Sequence, residues 1–249
     1  MRVIALLVEY DGSGYHGFQR QSSLPTIAAE LEKALGILCG HQVTVTGAGR
    51  TDAGVHATGQ VVSFESDSDF DVGRAPVALS AMLRDKRIAV LRAVERPPGF
   101  SARHDARART YRYRVLNRAA PSPLLRGRVF FVRAPLELER MRVAAALLAG
   151  THDFSSFCAQ PPERGRPVRT IENISLERSG DLIDLEVTAD SFLHQMVRII
   201  AGTLVEVGRG KRRPEDMKAI LERRDRKAAG ITAPAHALYL TGVRYEPPL

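Results

Sequence analysis

The sequence predicts an α+β fold made of two tandem halves, because one order of elements, β-α-β-β-α-β, occurs twice along its 249 residues. Each half combines short β-branched runs with stretches whose apolar residues recur every three or four positions. A proline-containing break, Arg96–Gly99, separates the halves. The repeated order is that of the ferredoxin-like unit, so we expect a mixed, mostly antiparallel sheet with helices on one side and a basic cleft.

The first half contains four predicted strands and two predicted helices. The strands are Arg2–Tyr10, Gln42–Thr46, Gln60–Glu65 and Arg87–Val94, and the helices run from Thr26 to Gly40 and from Arg74 to Leu83. Thr26 and Gly40 are typical of helix boundaries, because threonine accepts an early backbone N–H and glycine adopts the left-handed conformation that ends a helix.

The second half repeats this order with one short additional helix. Its strands are Arg109–Asn117, Arg169–Arg178, Asp181–Asp190 and Leu238–Tyr245, and its helices are Glu137–Leu148, His194–Val207 and the additional Pro214–Arg223. We therefore predict an N-terminal ferredoxin-like domain of residues 1–98 and a C-terminal ferredoxin-like domain of residues 99–249.

The composition indicates a globular protein with an anionic partner. Hydrophobic residues make up 44% and charged residues 26% of the chain, the net charge is +8, and the pI is near 9.9. Five of the 36 basic residues are lysines and the others are arginines. Arginine binds phosphates in a forked geometry and stacks on bases, which favours RNA, although an arginine-rich genome composition would produce the same bias.

Membrane insertion, a disulfide framework and a zinc site find no support in the sequence. The apolar run Val3–Val8 is too short for a signal peptide or a membrane span. The two cysteines, Cys39 and Cys158, form no Cys-x-x-Cys pair. We expect a cytoplasmic protein, because a reducing compartment suits this sparse use of cysteine.

The connection Gly47–Gly59 is the segment most indicative of function. It joins two predicted strands through thirteen residues, whereas adjacent strands usually need about two to five. Its ionisable residues are Arg50, Asp52 and His56, and its four glycines allow close approach of a ligand. A strand follows rather than a helix, which argues against a phosphate-binding loop, and no ligand cluster supports a metal. A glycine-rich bend in which Asp52 merely pairs with Arg50 stays an alternative.

A second candidate surface is an arginine-rich strand. Six arginines fall within sixteen residues, namely Arg103, Arg107, Arg109, Arg112, Arg114 and Arg118. On an alternating strand Arg112 and Arg114 share one face, while Tyr111 and Tyr113 share the other. The basic face is either a nucleic-acid surface or a solvated outer face, and the sequence leaves both open.

The segment Arg50-Thr51-Asp52-Ala53-Gly54-Val55-His56-Ala57 resembles the signature of the TruA family of tRNA pseudouridine synthases. Further stretches agree with the family in order over essentially the whole chain: Tyr10–Gln21, Phe100–Tyr113, Asp153–Phe157, Phe192–Arg198 and Leu238–Leu240. The resemblance implies isomerisation of uridine to pseudouridine in the anticodon stem-loop of tRNA, at positions 38–40, by a homodimer. It implies no metal and no other cofactor, because nothing is oxidised or consumed.

The resemblance also implies roles for individual residues. Asp52 is the carboxylate that attacks C1′ or the uracil, or acts as a base, and these routes stay open. Arg198 keeps that carboxylate ionised and aimed, and Arg50 helps to hold the flipped nucleotide. Tyr111 stacks on the extruded uracil and could relay a proton. The implied substrate-binding residues are Tyr111, Leu238, Arg20, Arg103, Arg109 and His56.

Two other functional classes remain open on the sequence alone. A catalytically silent RNA-binding protein would have the same basic surface, but it would not need Asp52 beside Arg50 on a glycine-flanked loop. A nucleotide-dependent enzyme would explain the glycines, and ATP or NAD would then raise its melting temperature.

Overall fold

The computed structural model describes residues 1–161 and 165–249. Within these ranges the chain forms ten strands and five α-helices. The strands are β1 (Arg2–Tyr10), β2 (Thr46–Gly47), β3 (His56–Ser66), β4 (Ile88–Arg96), β5 (Ala108–Asn117), β6 (Phe130–Val132), β7 (Gly150–Asp153), β8 (Val168–Ser179), β9 (Leu182–Ala189) and β10 (Leu238–Arg244). The helices are α1 (Ile27–Cys39), α2 (Ala75–Leu83), α3 (Leu138–Ala146), α4 (Met196–Gly208) and α5 (Asp216–Arg223).

These elements belong to two compact units. Unit 1 consists of Met1–Arg109 and Tyr239–Leu249, and unit 2 consists of Thr110–Leu238. The predicted α+β class and the mostly antiparallel strand pairing are confirmed. The domain boundary between residues 98 and 99 and the basic cleft stay predictions.

The sheet of unit 1 has the strand order β4-β1-β3-β10, and β2 pairs with β3. β1 runs antiparallel to β3 and β4, and β10 runs parallel to β3 through Tyr239 opposite His56. Every residue of β1 from Val3 to Leu6 is buried, as expected for a central strand covered on both faces. α1 has the predicted boundaries: Thr26 accepts the N–H of Ala29, and Gly40 follows with φ of 74°.

The sheet of unit 2 has the strand order β5-β9-β8-β7, and β6 lies parallel to β5. β8 is antiparallel to both β7 and β9. α4 is buried over almost its whole length, because apolar residues such as Ile199, Ile200 and Leu204 recur on several of its faces. This buried helix forms much of the frame for the segment that leads into β10.

The structure corrects the prediction of a strand at Gln42–Thr46. Only Thr46 and Gly47 pair with β3, while Val43 and Val45 are buried without a strand ladder. The N–H of Val45 donates to the carboxylate of Glu32 at 3.2 Å, so a side chain replaces the backbone partner that a strand would supply.

The connection between the two strands is also shorter than predicted. β3 begins at His56, so the loop is Ala48–Val55 and Gly59 lies within the strand. A Cβ atom on Gly59 would overlap the carbonyl oxygen of Thr241, so this glycine permits close approach of the β3 backbone to the β10 backbone. The strands β6 and β7, of three and four residues, carry too little sequence for a periodic pattern and are additions to the predicted elements.

Among the residues described, no helix has the length and apolar character needed to cross a membrane. Cys39 and Cys158 are both buried free thiols.

Candidate active site

The predicted catalytic residues of unit 1 lie in the loop Ala48–Val55. The N–H of Val55 donates to the carbonyl oxygen of Asp52 at 3.1 Å and closes a turn. Gly54 stands inside this turn with φ of 76°, a conformation that other residues adopt only at a cost. Asp52 is half-buried at the turn, whereas Arg50 is exposed. The turn therefore presents the Asp52 side chain from a backbone of defined shape, and Arg50 lies two residues before it.

The segment 11–21 packs against this loop and supports it. The N–H of Phe18 donates to the carbonyl oxygen of Thr51 at 3.0 Å. Gly17 allows that approach, because a Cβ atom there would lie 2.7 Å from the same oxygen. The ring of Phe18 covers Gly47, where a Cβ atom would overlap the ring. The two stretches that carry most of the resemblance in the first half therefore form one packed structure.

His56 begins β3 and is buried within unit 1. Its Nδ1 accepts the N–H of Gly12 at 3.1 Å and lies 3.2 Å from a carboxylate oxygen of Asp11. Its ring stacks on Tyr239 with centroids 4.8 Å apart. These contacts anchor the end of the loop to Asp11 and Gly12. The predicted role of His56 in substrate binding stays a prediction.

Arg109 contacts the beginning of the same loop. Its guanidinium donates to the carbonyl oxygens of Ala48 at 3.1 Å, Ala106 at 3.1 Å and Arg103 at 2.6 Å. Because three of its donors hold backbone carbonyls, Arg109 fixes the path of the chain around Ala48. Arg103 itself is exposed and accessible to an anionic ligand.

Arg20 lies on the surface of unit 1 and forms an ion pair. Its Nη1 is 2.7 Å from a carboxylate oxygen of Glu32, whose side chain is nearly buried. The Arg20 side chain remains 62% exposed, so it can reach a phosphate without leaving the protein surface.

Tyr111 and Leu238 belong to unit 2 and are largely buried. Tyr111 is 7% exposed and contacts the ring of Phe192 edge-on, with centroids 5.0 Å apart. Leu238 is 6% exposed at the first position of β10. The aromatic contact fixes the plane of the Tyr111 ring, as a stacking role requires.

Arg198 is held against the irregular segment 229–237. Its Nε donates to the carbonyl oxygen of Ala233 at 2.9 Å, and its own carbonyl accepts the Ala233 N–H at 3.1 Å. The hydroxyl of Tyr113 donates to Pro234 at 2.9 Å, and burial raises the pKa of this phenol, so it stays a donor. The segment 229–237 and the Arg198 side chain thus fix each other's position.

The same segment lies along α4 further towards Gly208. The N–H of Gly230 donates to the hydroxyl of Thr203 at 2.9 Å, and the N–H of Ile231 donates to Glu206 at 3.2 Å. Gly202 allows this contact, because a Cβ atom there would overlap the carbonyl oxygen of Ile231. One face of α4 therefore holds the segment that leads into Leu238.

Three of the six clustered arginines form close ion pairs with carboxylates that lie far away in the sequence. The ion pairs are Arg112–Glu186 at 3.1 Å, Arg114–Asp184 at 3.1 Å and Arg118–Asp181 at 3.3 Å. All three carboxylates lie in or beside β9, the neighbour of β5 in the sheet. A phosphate would have to replace these partners, so the exposed Arg103 and Arg107 are the more accessible members of the cluster for an anion. Arg109 is only half-buried, but its guanidinium already donates to three backbone carbonyls.

Within residues 1–161 and 165–249 no group of three or more His, Cys, Asp or Glu side chains is arranged to hold a metal ion.

The family model for tRNA pseudouridine synthase matches residues 6–105 and 144–246 of this chain. The chain belongs to the tRNA pseudouridine synthase family. A curated relative from Caulobacter vibrioides named tRNA pseudouridine synthase A is 45% identical over 240 residues, covering 96% of this chain and 97% of the relative. Relatives of the same name from Halalkalibacterium halodurans and Acetivibrio thermocellus are 47% and 44% identical, covering 96% and 98% of this chain and 90% and 100% of their own lengths.

Similarity to solved structures is weaker. A chain in the crystal structure of the archaeal box H/ACA sRNP Nop10–Cbf5 complex shares 12% sequence identity at a TM-score of 0.36, covering 81% of this chain and 44% of that chain. A likeness of this size carries no argument about fold or function.

Membership in the tRNA pseudouridine synthase family confirms the resemblance and makes the chain an enzyme of the isomerase class. The matched range 6–105 includes Arg50 and Asp52, and the range 144–246 includes Arg198 and Leu238. Tyr111 lies between the two matched ranges. Its proposed role therefore rests on the local resemblance around Phe100–Tyr113.

Sequence patterns do not reveal every residue that supports the site of this tRNA pseudouridine synthase family member. Gln60 precedes the apolar pair Val61 and Val62, and the alternation of apolar residues does not predict whether this glutamine is buried. In the structure its side chain is buried and contacts the loop that carries Asp52. Burial of an uncharged polar side chain is the signal that identifies it, and only the folded chain provides that signal.

Proposed function

We propose that this enzyme isomerises uridine to pseudouridine in the anticodon stem-loop of tRNA, at positions 38–40. The proposal rests on the similarity of nearly the whole chain to relatives named tRNA pseudouridine synthase A, which are 44–47% identical. The site on tRNA and the catalytic role of Asp52 come from the resemblance of Arg50–Ala57 to the family signature. The defined turn at Asp52 supports that role, because a catalytic carboxylate must be held in place.

In this reaction the N1–C1′ bond of uridine breaks, the uracil turns, and C5 bonds to C1′. The proton at C5 leaves and N1 takes up a proton, so the product contains the same atoms and no electrons are gained or lost. Asp52 either attacks C1′, attacks the uracil or acts as a base on the way to a glycal. Each route needs an ionised carboxylate at the ribose and the base.

A uridine stacked in an RNA stem cannot reach a carboxylate on a protein loop. The enzyme therefore has to extrude the nucleotide, at a cost of a few kcal/mol. We assign Tyr111 to stacking on the extruded uracil, Leu238 to an apolar wall and Arg50 to holding the nucleotide. Arg198 is assigned to keeping Asp52 ionised, and this pairing stays a prediction.

Tritium release from a tRNA transcript labelled at uridine C5 tests the proposed reaction. Forming the C5–C1′ bond expels the hydrogen at C5, so release reports the chemistry directly. We expect release from a transcript with uridines at positions 38–40 and none when cytidine replaces those uridines. Binding of tRNA without any release would instead favour the silent RNA-binding protein, and stabilisation by ATP or NAD would favour the nucleotide-dependent enzyme.

Substitution of Tyr111 distinguishes stacking from proton relay. We expect Tyr111→Ala to lower the single-turnover rate about 100-fold, because base–aromatic stacking is worth about 1–3 kcal/mol per base. Tyr111→Phe keeps the ring against Phe192 and should cost less than about tenfold. A larger loss for Tyr111→Phe than for Tyr111→Ala would make the hydroxyl essential and overturn the stacking role.

The arginines of unit 1 should account for much of the salt dependence of tRNA binding. Neutralising about six phosphates would weaken binding about 10³-fold between 50 and 200 mM salt. Arg103→Ala should lower the slope of log K against log salt by about one, because Arg103 is exposed. Arg112→Ala is the matched control, and we expect a smaller change because Arg112 already pairs with Glu186. Equal changes for both variants would contradict this ranking.

We propose further that the enzyme is a cytoplasmic homodimer whose subunits jointly hold one tRNA. Family resemblance supports the dimer, and the free thiols of Cys39 and Cys158 suit a reducing compartment. Light scattering after size-exclusion chromatography should give twice the mass of the 27.3 kDa chain. A monomer that retains full activity on tRNA would contradict the dimer.

A further inference from the structure

The side chain of Gln60 forms two hydrogen bonds to the backbone of a single residue in the catalytic loop. Its Nε2 donates to the carbonyl oxygen of Gly49 at 2.8 Å, and its Oε1 accepts the N–H of Gly49 at 3.2 Å. Gln60 is 0% exposed, so water does not compete for these bonds. Through this pair of bonds β3 holds the loop at a position where backbone pairing with β2 has ended.

A second set of bonds continues from Gln60 to the residue next to Asp52. The Nε2 of Gln60 lies 3.4 Å from the hydroxyl of Tyr10, and this hydroxyl lies 2.8 Å from the hydroxyl of Thr51. Because the amide nitrogen can only donate, Tyr10 accepts from Gln60, while either hydroxyl can donate in the bond between Tyr10 and Thr51. Burial raises the pKa of Tyr10 to about 12, so its proton is retained at neutral pH. Tyr10 and Thr51 are themselves buried.

We propose that Gln60 and Tyr10 are positioning residues that set the place of the Asp52 carboxylate. The two side chains form hydrogen bonds to the loop at Gly49 and at Thr51. These two residues flank exposed Arg50, and Thr51 directly precedes Asp52. This inference rests on the proposed function, because it takes Asp52 as the catalytic carboxylate. A shift of about 1 Å in such a group can cost about 100-fold in rate.

The geometry distinguishes these side-chain hydrogen bonds from ordinary core packing. Gln60 and Tyr10 lie on the neighbouring strands β3 and β1, so their hydrogen bonds join the loop to the central strands of unit 1. Phe18 also holds Thr51, but through a hydrogen bond between backbone groups. The bonds of Gln60 and Tyr10 are made by side chains, and substitution can therefore remove them without altering the strand ladder.

The test compares Gln60→Met and Tyr10→Phe with the wild-type enzyme. Both substitutions approximately keep side-chain volume and remove the hydrogen bonds. We expect the single-turnover rate of tritium release to fall about 30-fold or more, while the Kd for tRNA changes less than threefold. Amide hydrogen exchange at Gly49 should accelerate in Gln60→Met, because its N–H loses its acceptor.

Asn117 supplies the matched control. Its buried carboxamide donates to the carbonyl oxygens of Val132 and Ala134 at 2.9 and 2.8 Å and accepts the N–H of Leu136 at 3.3 Å, in unit 2. Asn117→Leu should lower the melting temperature by a similar amount as Gln60→Met, but leave the single-turnover rate within about threefold. Should Gln60→Met fail to fold, Thr51→Val and Thr51→Ser form a second pair, in which only serine keeps the hydroxyl and should restore the rate.

The possible results distinguish failure of the inference from failure of the proposed function. A wild-type enzyme that releases no tritium would overturn the proposed function and the inference with it. An active wild-type enzyme whose rate survives in Gln60→Met, despite faster exchange at Gly49, would overturn the inference alone. Parallel losses of rate, tRNA affinity and melting temperature in Gln60→Met and Asn117→Leu would reduce Gln60 to a structural residue.

Discussion

Asp52→Ala is expected to lower the rate of tritium release about 10⁴-fold, with binding of tRNA largely kept. The physical reason is that the proposed reaction needs an ionised carboxylate at the ribose and the base, whereas we expect binding to come mainly from arginines that contact phosphates. Asp52→Asn should lose a similar factor, because it keeps the shape of the side chain and removes the charge. Single-turnover release and a filter-binding Kd measured on the same preparation provide the comparison.

Asp85 is a suitable control for this prediction. It is an exposed aspartate in the 3₁₀ turn Arg84–Lys86, on the chain before β4. Asp85→Ala should leave both the rate and the Kd unchanged, since surface substitutions away from special features usually change little. Equal losses of rate and tRNA affinity in Asp52→Ala would assign Asp52 a structural role in the loop and overturn its catalytic assignment.

Gly202→Ala is expected to lower the free energy of unfolding by about 3 kcal/mol. Alanine is normally the better residue inside a helix, yet here its Cβ would overlap the carbonyl oxygen of Ile231, which is backbone and cannot rotate away. The segment 229–237 would have to leave α4, and its bonds to Thr203, Glu206 and Arg198 would weaken. Thermal unfolding should show a decrease in Tm of about 6–12 °C.

Gly36→Ala is the matched control, because it makes the same substitution inside α1. A Cβ atom at Gly36 would lie 3.6 Å from the carbonyl oxygen of His41, which is an ordinary contact. This variant should be more stable than the wild type by about 0.5–1 kcal/mol, since alanine restricts the unfolded chain. An unchanged Tm for Gly202→Ala would mean that the segment moves away from α4 without cost.

Much of the architecture follows from local sequence patterns. The apolar run Val3–Val8 predicts the central strand β1, and Thr26 and Gly40 mark the boundaries of α1 where the structure has them. The pattern is less informative at Gln42–Thr46, because the alternation of Val43 and Val45 reports burial and not backbone pairing. Glu32 provides the partner of Val45, and no local window of sequence contains both residues.

For the arginine cluster of the candidate site, too, the local sequence does not contain the interaction partners. Alternation predicts that Arg112 and Arg114 share a face, and both are indeed less buried than Tyr111 and Tyr113. The local sequence does not contain Glu186 and Asp184, which pair with these arginines from β9. A count of charges along the chain therefore overestimates the positive surface available to RNA.

The sequence by itself determined the order of the longer elements, the glycine-flanked loop with Arg50 and Asp52, and the membership in the tRNA pseudouridine synthase family. These features reside in neighbouring residues, so periodicity and motif spacing are sufficient to find them. Only the tertiary structure decided that the side chains of Gln60 and Tyr10 form hydrogen bonds to the loop. It also decided that the backbone of Ile231 packs directly against Gly202. Such contacts join residues far apart in the chain, and their geometry exists only after the chain has folded.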